Sequence, residues 1–533
     1  MASATAIAPV ARRPASALLL ALLALAAAAS ARAATAPGRV SIGIGGPATR
    51  DGVDPFAATR AAGGPDRTIV TAGVDARAHD LLVTRLLPSG ALDPAFGVGG
   101  LARVKAPVAS DLYGPFPQQV LVAPDGSVVV VFQASPENGV GLARLRPDGR
   151  LDPGFGDSGI ALTGLTLNGF AALGAEGSVY VLGDAGGATV KRFGPDGRVD
   201  GAFGAGKGQA YLGLTSPAGL AALPDGRLAA LADAASNTAR VTYLSADGAI
   251  GSTVDVPGEA FGLVAHDDGS LDASTIGWRV QRIDPSGALA GSVALPKSAG
   301  DLPSIVRGPG DTALATTPIR AEGNTDSGLI VTAIAADGTA TRHVLRSGFG
   351  GGDATVPTHF GPPFLQPLGK GGLFAPVLAA RSDGDLVLVG SSGVIQYTGE
   401  GEGYLHEEIA AAAFTPAFAR DTSFGGPGSA SLRLTVPAQR ASTVANPRNY
   451  TLAVLANASA AGLCDMVVRA RGAVVARALV PIFHAGLQRV HVTLTVRGRR
   501  LLRGVHAVPV AVSGTLEELV GLRARAAARG VLR

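Results

Sequence analysis

The sequence predicts an all-β chain: a seven-bladed β-propeller, with six or eight blades as alternatives, followed by a small immunoglobulin-like β-sandwich. Three observations predict it. Two kinds of tight-turn sequence alternate from residue 66 to residue 425, the runs between them are β-prone, and the composition is turn-rich. With 75 Gly and 35 Pro in 533 residues, the chain suits many short elements rather than long helices. A chain of this length also exceeds one ordinary core.

The first turn series is clearest in Leu145-Arg146-Pro147-Asp148-Gly149-Arg150-Leu151-Asp152-Pro153-Gly154-Phe155-Gly156. It occurs earlier as Leu87 to Gly97 and later as Phe193 to Gly204, with weaker copies at Asp247-Gly248, Ser286-Gly287 and Asp337-Gly338. Asp421 to Gly426 is a last half-copy. The second series is Pro65-Asp66, Pro124-Asp125-Gly126, Glu176-Gly177, Pro224-Asp225-Gly226, Asp268-Gly269, Gly310-Asp311 and Asp383-Gly384. Asp-Gly and Ser-Gly supply the positive-φ residue of a tight hairpin. Each repeat then forms a small antiparallel sheet that cannot bury both faces alone, and radial packing solves this. The recurring Phe96, Phe155, Phe203 and Phe424 are expected to wedge between neighbouring sheets. The Asp before each is expected to bond turn amides. The strand near Arg39–Ile44 is expected to complete the last blade and close the ring.

The Asp-Gly-x-Leu-Asp-x-x-Phe-Gly core resembles the delta-60 repeat β-propellers of bacterial extracellular proteins, over roughly residues 40 to 428. The Phe-Gly half is lost in units four to six. The resemblance implies a propeller and no settled activity.

Residues 1–33 read as a signal peptide. Arg12 and Arg13 precede an apolar run, Ala15 to Ala29, too short to span a bilayer, and Ala31-Arg32-Ala33 has the small-x-small cleavage pattern. The mature chain is expected to start near Ala34, to be secreted or held at the cell surface, and to lack a transmembrane segment. Residues 34–428 are assigned to the propeller and 429–533 to the sandwich. Strands are expected at Ser431–Val436, Tyr450–Leu455, Ala473–Val480, Val490–Val496 and Val505–Val512. The run Val492 to Leu502 resembles the immunoglobulin-like modules that end many actinobacterial exported proteins. The single cysteine, Cys464, excludes an intramolecular disulfide and is expected to be a buried small hydrophobe.

Charge divides sharply. Residues 429–533 hold 15 Arg, no Lys and 3 acids, a net of +12, whereas residues 34–428 hold 27 basic and 38 acidic groups, a net of −11. A basic exported module suggests contact with anionic envelope polymers or lipid headgroups. A solvated face, or docking onto the acidic propeller, is the simpler account of these arginines.

No Walker loop, Cys-x-x-Cys pair, dinucleotide fingerprint, zinc-protease helix or Gly-x-Ser-x-Gly elbow occurs, and no catalytic residue, cofactor, metal or nucleic-acid partner is assigned. Asp148, Asp152 and Asp157 admit a calcium reading, but turn capping accounts for them more simply. Two departures from regular spacing, Arg346–Gly372 and Glu400–Pro416, bracket the seventh unit. They gather rings that are scarce in a chain with 5% aromatic residues: His359, Phe360, Phe364, Tyr397, Tyr404 and His406. Such rings suit stacking on sugars or a surface protein; packing that holds the loops in place is the alternative. The expected function is an exported, non-catalytic binding or structural protein. The alternative is a propeller enzyme of lyase, lactonase or sugar dehydrogenase type, with a site in the central channel.

Overall fold

A computed structural model describes residues 32–43, 57–75, 80–107, 115–135, 139–297, 304–319, 328–347, 365–366, 377–398, 402–446, 450–505 and 507–533. The protein is all-β. Sheet one is β3 (Ala57–Gly63), β4 (Ile69–Asp75), β5 (Asp80–Leu86) and β6 (Leu101–Lys105); β1 (Arg32–Ala36) and β2 (Arg39–Gly43) precede it. Sheet two is β7 (Phe116–Val122), β8 (Val128–Ser135), β9 (Gly139–Leu145) and β10 (Ile160–Leu162). Sheet three is β11 (Thr166–Leu173), β12 (Val179–Asp184), β13 (Ala188–Phe193) and β14 (Ala210–Tyr211). Sheet four is β15 (Thr215–Ala222), β16 (Leu228–Ala235), β17 (Thr238–Leu244) and β18 (Ile250–Pro257). Sheet five is β19 (Ala260–Ala265), β20 (Leu271–Thr275), β21 (Arg279–Ile283) and β22 (Leu289–Ala294). Sheet six is β23 (Ser304–Arg307), β24 (Ala313–Ile319), β25 (Gly328–Ile334) and β26 (Ala340–Arg346). All pair antiparallel in sequence order, so each is a meander.

The seventh sheet closes the circle. β28 (Val377–Ala380), β29 (Leu386–Thr398) and β30 (Glu402–Phe414) pair in order, and the N-terminal β2 adds beside β30, Arg39 opposite Ala412 and Ile42 opposite Ile409. β1 adds outside β2, and β27 (Leu365–Gln366) pairs with β29. The first strands touch in sequence, β3, β7, β11, β15, β19, β23 and β28, and β28 returns to β3. That ring of radially packed sheets is a β-propeller, with the expected closing strand in place. The predicted cleavage point after Ala33 falls within β1, whose register runs from Arg32–Gly43 to Ala36–Arg39.

Both turn series sit where the sequence placed them. The second series joins the first two strands of each sheet; the first series joins the last two in sheets one to six and follows β30 in the seventh, so both lie at one end of the ring. The glycine of the first series holds positive φ at Gly90, Gly149, Gly197, Gly248, Gly287 and Gly338. In the seventh sheet Phe418 takes that position, at φ 62. The last copy is therefore complete, with its glycine replaced by phenylalanine, and is not the half-copy expected.

The recurring Phe does wedge between sheets. Phe96, Phe155, Phe203 and Phe424 are fully buried. Each ring lies under the turn glycine of the next sheet: Phe96 under Gly149, Phe155 under Gly197, Phe203 under Gly248 and Phe424 under Gly90. The following glycine amide donates to a carbonyl of that same turn, Gly97 to Asp148 and Gly156 to Asp196 at 2.7 Å, Gly204 to Asp247 and Gly425 to Ser89 at 2.8 Å. Asp93, Asp152, Asp200 and Asp421 cap their own turns, accepting from Ala95, Gly154, Ala202 and Ser423 amides. Arginines cover the latch at three junctions, with Arg85, Arg144 and Arg381 over Phe96, Phe155 and Phe424 at 4.8, 5.7 and 5.1 Å. The same arginines donate to Pro147, Pro195 and Pro88 carbonyls of the next sheet.

Where the Phe-Gly half is missing, other contacts hold the sheets. Val254 and Tyr243 of sheet four approach the Gly287 turn of sheet five. Arg282 of sheet five donates to the Ala335 carbonyl of sheet six at 2.6 Å. His343 of sheet six stacks on Phe418 of sheet seven, centroids 3.7 Å apart. The residues freed from the Phe-Gly loop lengthen the fourth strand: β18, β22 and β26 have 8, 6 and 7 residues, against 5, 3 and 2 in β6, β10 and β14.

The seven strands between Leu432 and Leu532 form a two-layer sandwich. One sheet orders β31 (Leu432–Thr435), β32 (Thr451–Ala458) and β35 (Gly486–Thr493). The other orders β34 (Ala473–Ile482), β33 (Gly462–Ala470), β36 (Val508–Glu518) and β37 (Arg523–Leu532). One apolar core lies between them. Cys464 is buried there, and burial pushes its thiol up to about 12, so it stays protonated as expected of a small hydrophobe. The expected strand reaching Val496 stops at Thr493. Thr495 then caps a short helix, Val496–Leu502, accepting from the Gly498 amide.

The two units meet through Ala460, Val520 and Leu522, which pack with Ala36, Leu314 and Phe414. Two buried carboxyls flank this junction. Ser41 donates to Glu408 at 2.6 Å, and Ser459 donates to Glu518. Burial, then repulsion from Glu408, raises the Glu518 pKa, while the Ser459 hydroxyl opposes the rise.

Phe155→Ala should destabilise the chain by about 3–5 kcal/mol in denaturant unfolding, because it empties a packed latch. Gly338→Ala keeps open space around the new methyl and should cost only about 1–2 kcal/mol for its positive φ. Gly149→Ala adds to that strain a Cβ 2.9 Å from the Phe96 ring, so its loss should exceed that of Gly338→Ala.

Candidate functional site

Antiparallel pairing places the connections within strand pairs two-three, and those from strand four to the next sheet, at the end of the ring opposite the Asp-Gly turns. The long connection after β26 and the tip of the β29–β30 hairpin therefore leave from the same end. This hairpin is the exceptional element. Its strands have 13 residues each, while no other strand of the ring exceeds 8. The expected insertion Glu400–Pro416 is thus not a loop. It is mostly β30, paired with β29 from Leu386–Phe414 out to Thr398–Glu402.

Of the six predicted binding residues, His359, Phe360 and Phe364 lie outside the described residues. Tyr397 is in β29, opposite Gly403; Tyr404 and His406 are in β30, opposite Gln396 and Val394. The two-residue period puts positions 404 and 406 on one face of the hairpin and position 397 on the other. β29 runs against β33 and β34 of the sandwich, so the hairpin is braced by the second unit.

The middle of the ring is lined by the first strands. Among the described residues these strands carry two ionisable side chains, Arg60 of β3 and Arg307 of β23, and no His, Asp or Glu. Arg60 Nε donates to the Gln118 carbonyl at 2.6 Å, and burial lowers its pKa without removing its charge. Gln118 accepts from the Gly169 amide and donates to Gln133. Gln119 makes two bonds to the Ala171 backbone, accepting from its amide at 2.8 Å and donating to its carbonyl at 3.1 Å. The two glutamines stitch β7 to β11, so their amides serve the wall rather than the lumen.

A second polar cluster escaped the sequence reading. His266, fully buried in the first turn of sheet five, has Nε2 2.9 Å from Asp272 and Nδ1 3.0 Å from the Asp311 carbonyl of sheet six. Arg307 donates to the Asp311 carboxylate at 2.9 Å, and that carboxylate also accepts from the Asp267 amide. The only sequence signal was the pair Asp268-Gly269 and Gly310-Asp311 in the second turn series. The geometry is that of a clamp between sheets five and six, which lack the Phe latch. Asp148 and Asp152 cap turns, accepting from Arg150 and Gly154 amides, as expected of them. No helix among the described residues is long and apolar enough to cross a membrane.

No known protein family and no curated protein matches the chain. Solved structures do resemble it. Virginiamycin B lyase from Staphylococcus aureus is 12% identical at a TM-score of 0.40, over 68% of this chain and 97% of that one. The WD40 β-propeller domain of Doa1 is 9% identical at 0.37, over 71% and 97%. The PQQ-bound aldose sugar dehydrogenase from Streptomyces coelicolor is 15% identical at 0.35, over 56% and 98%. Likeness this distant carries no activity across.

The hydrogen bond to Asp272 is the main cause that raises the His266 pKa; burial opposes it. A raised folded-state value means stability fully present below the ordinary 6.5 and lost as pH rises through the higher folded value. Thermal melting across this range should show the midpoint falling as pH rises. Asp272→Asn should flatten that slope; an unchanged slope would remove His266 as its source.

Proposed function

We propose that this chain is an exported, non-catalytic binding or structural protein of the bacterial cell surface or medium, built on a seven-bladed propeller with a C-terminal immunoglobulin-like module. The observation that carries the reading is the overlong β29–β30 hairpin, which projects from a ring otherwise made of short strands. It leaves at the same end as the connection that holds His359, Phe360 and Phe364. Aromatic faces with polar edges suit a sugar ring or a partner protein. The apolar N-terminal segment, and the resemblance of the repeat to delta-60 propellers, support export. The partner class is an envelope polysaccharide or a surface protein.

Replacing Phe360, Tyr404 and His406 together with Ala tests the assignment. Binding to purified envelope polysaccharide, measured by pull-down, should weaken while the melting temperature holds. A loss of several degrees with binding intact would make the rings structural. Arg60→Ala serves as the channel control and should leave binding unaltered.

A further inference from the structure

The outer face of the sandwich sheet that holds β37 is a second surface, separate from the hairpin. Inward positions on β33, β36 and β37 alternate into the core, including Cys464, Met466, Val468, Val510, Val512 and Ala524. The intervening positions point outward. They carry four arginines, Arg469, Arg523, Arg525 and Arg529, and Arg477 of β34 lies on the same face; all five are exposed. Two have carboxylate partners on the same face, Arg477 with Asp465 at 3.1 Å and Arg523 with Glu517 at 2.8 Å. Arg469, Arg525 and Arg529 have no acid paired with them among the described residues.

Register fixes the layout of these three. Arg469, Ala511 and Arg529 form one row across β33, β36 and β37, and Asp465, Thr515 and Arg525 form another. Two strand spacings separate Arg469 from Arg529, about 10 Å, and four residues separate Arg525 from Arg529, about 13 Å. The floor between them is Ala511, Ser513 and Ala527, all exposed and small. A flat floor lets an extended chain lie across the sheet within reach of the guanidinium forks, which match carboxylates in two-point geometry.

We infer that this face binds an acidic polysaccharide whose carboxylates are widely spaced along the chain. Charge complementarity selects an anion, since the unit carries +12 overall. Spacing selects among anions. Each strand of duplex DNA presents a charge about every 3.4 Å, far denser than this grid of three cations. A polymer with one carboxylate per disaccharide matches a sparse grid better. Among the described residues Val531 is the one exposed large apolar side chain on this face, too small a wedge to hold it in a bilayer. The inference stands apart from the hairpin assignment; it shares with that reading only the setting in which such a polymer would be met.

The test uses the full chain and hyaluronate, which bears one carboxylate per disaccharide, in calorimetry at two salt concentrations. The chain should bind, more weakly at the higher salt. Changing Arg469, Arg525 and Arg529 together to Ala should cost about tenfold or more in affinity, because three charge-assisted contacts are lost, with no change in melting temperature. Changing all three to Lys keeps the charge but not the two-point fork, and should retain only part of the affinity, more than the Ala variant keeps. The Phe360, Tyr404 and His406 variant should bind hyaluronate as the parent does, which separates this face from the hairpin. Absence of hyaluronate binding overturns the inference. So does undiminished affinity in the Ala variant, an equal loss in the Lys variant, or tighter binding to duplex DNA or phosphatidylglycerol vesicles.

Discussion

The ring depends on one interaction made repeatedly: a Phe-Gly amide of one sheet donates to the turn carbonyl of the next, with the phenylalanine sealed beneath the turn glycine. A four-stranded meander has two apolar faces and cannot be stable alone. The latch fixes how the next sheet packs, because a backbone hydrogen bond tolerates little sliding and a buried ring little empty space. The glycine is required on both counts. It holds φ near +80°, and a side chain there would meet the ring. At Phe424 the latch joins the end of the ring to its beginning, beside the pairing of β2 with β30.

Much of this was legible in the sequence because turns announce themselves. Asp-Gly and Ser-Gly have a narrow set of backbone uses, so their alternation located the hairpins. The recurring Phe located the junctions. The junctions without Phe were opaque, since their replacements share no residue type: a histidine–aspartate clamp at His266, an arginine at Arg282 and a ring pair at His343 and Phe418. Phe418 hid the last turn by occupying a conformation that glycine normally takes. In the sandwich, β37 went unseen because Arg523-Ala524-Arg525-Ala526-Ala527-Ala528-Arg529 is made of strong helix formers. Pairing with β36 overrides that preference. The scarce rings of the seventh unit were visible by composition, but their placement was not: a hairpin register decides which of them share a face.

The two units divide the work by charge and shape. The ring is acidic, latched by Phe-Gly at four junctions and held by other contacts at three, a platform from which one long hairpin projects. The sandwich is basic, rests on the seventh sheet through apolar residues, and braces that hairpin through β33 and β34. Strands β36 and β37, the latter with Arg523, Arg525 and Arg529, lie at the other side of their sheet, where Ala511, Ser513 and Ala527 are exposed. The junction buries Glu408 and Glu518, with serine hydroxyls as donors, so the contact between units is neither purely apolar nor a simple salt bridge.

Native-state amide hydrogen exchange tests the central role of the latch most directly. The amides of Gly97, Gly156, Gly204 and Gly425 lie in surface turns, where local fraying would ordinarily release them quickly. If the latch holds the ring together, they exchange only when the ring opens, as slowly as the second and third strands of each sheet. Rapid exchange at these four glycines, with those strands still protected, would contradict the account.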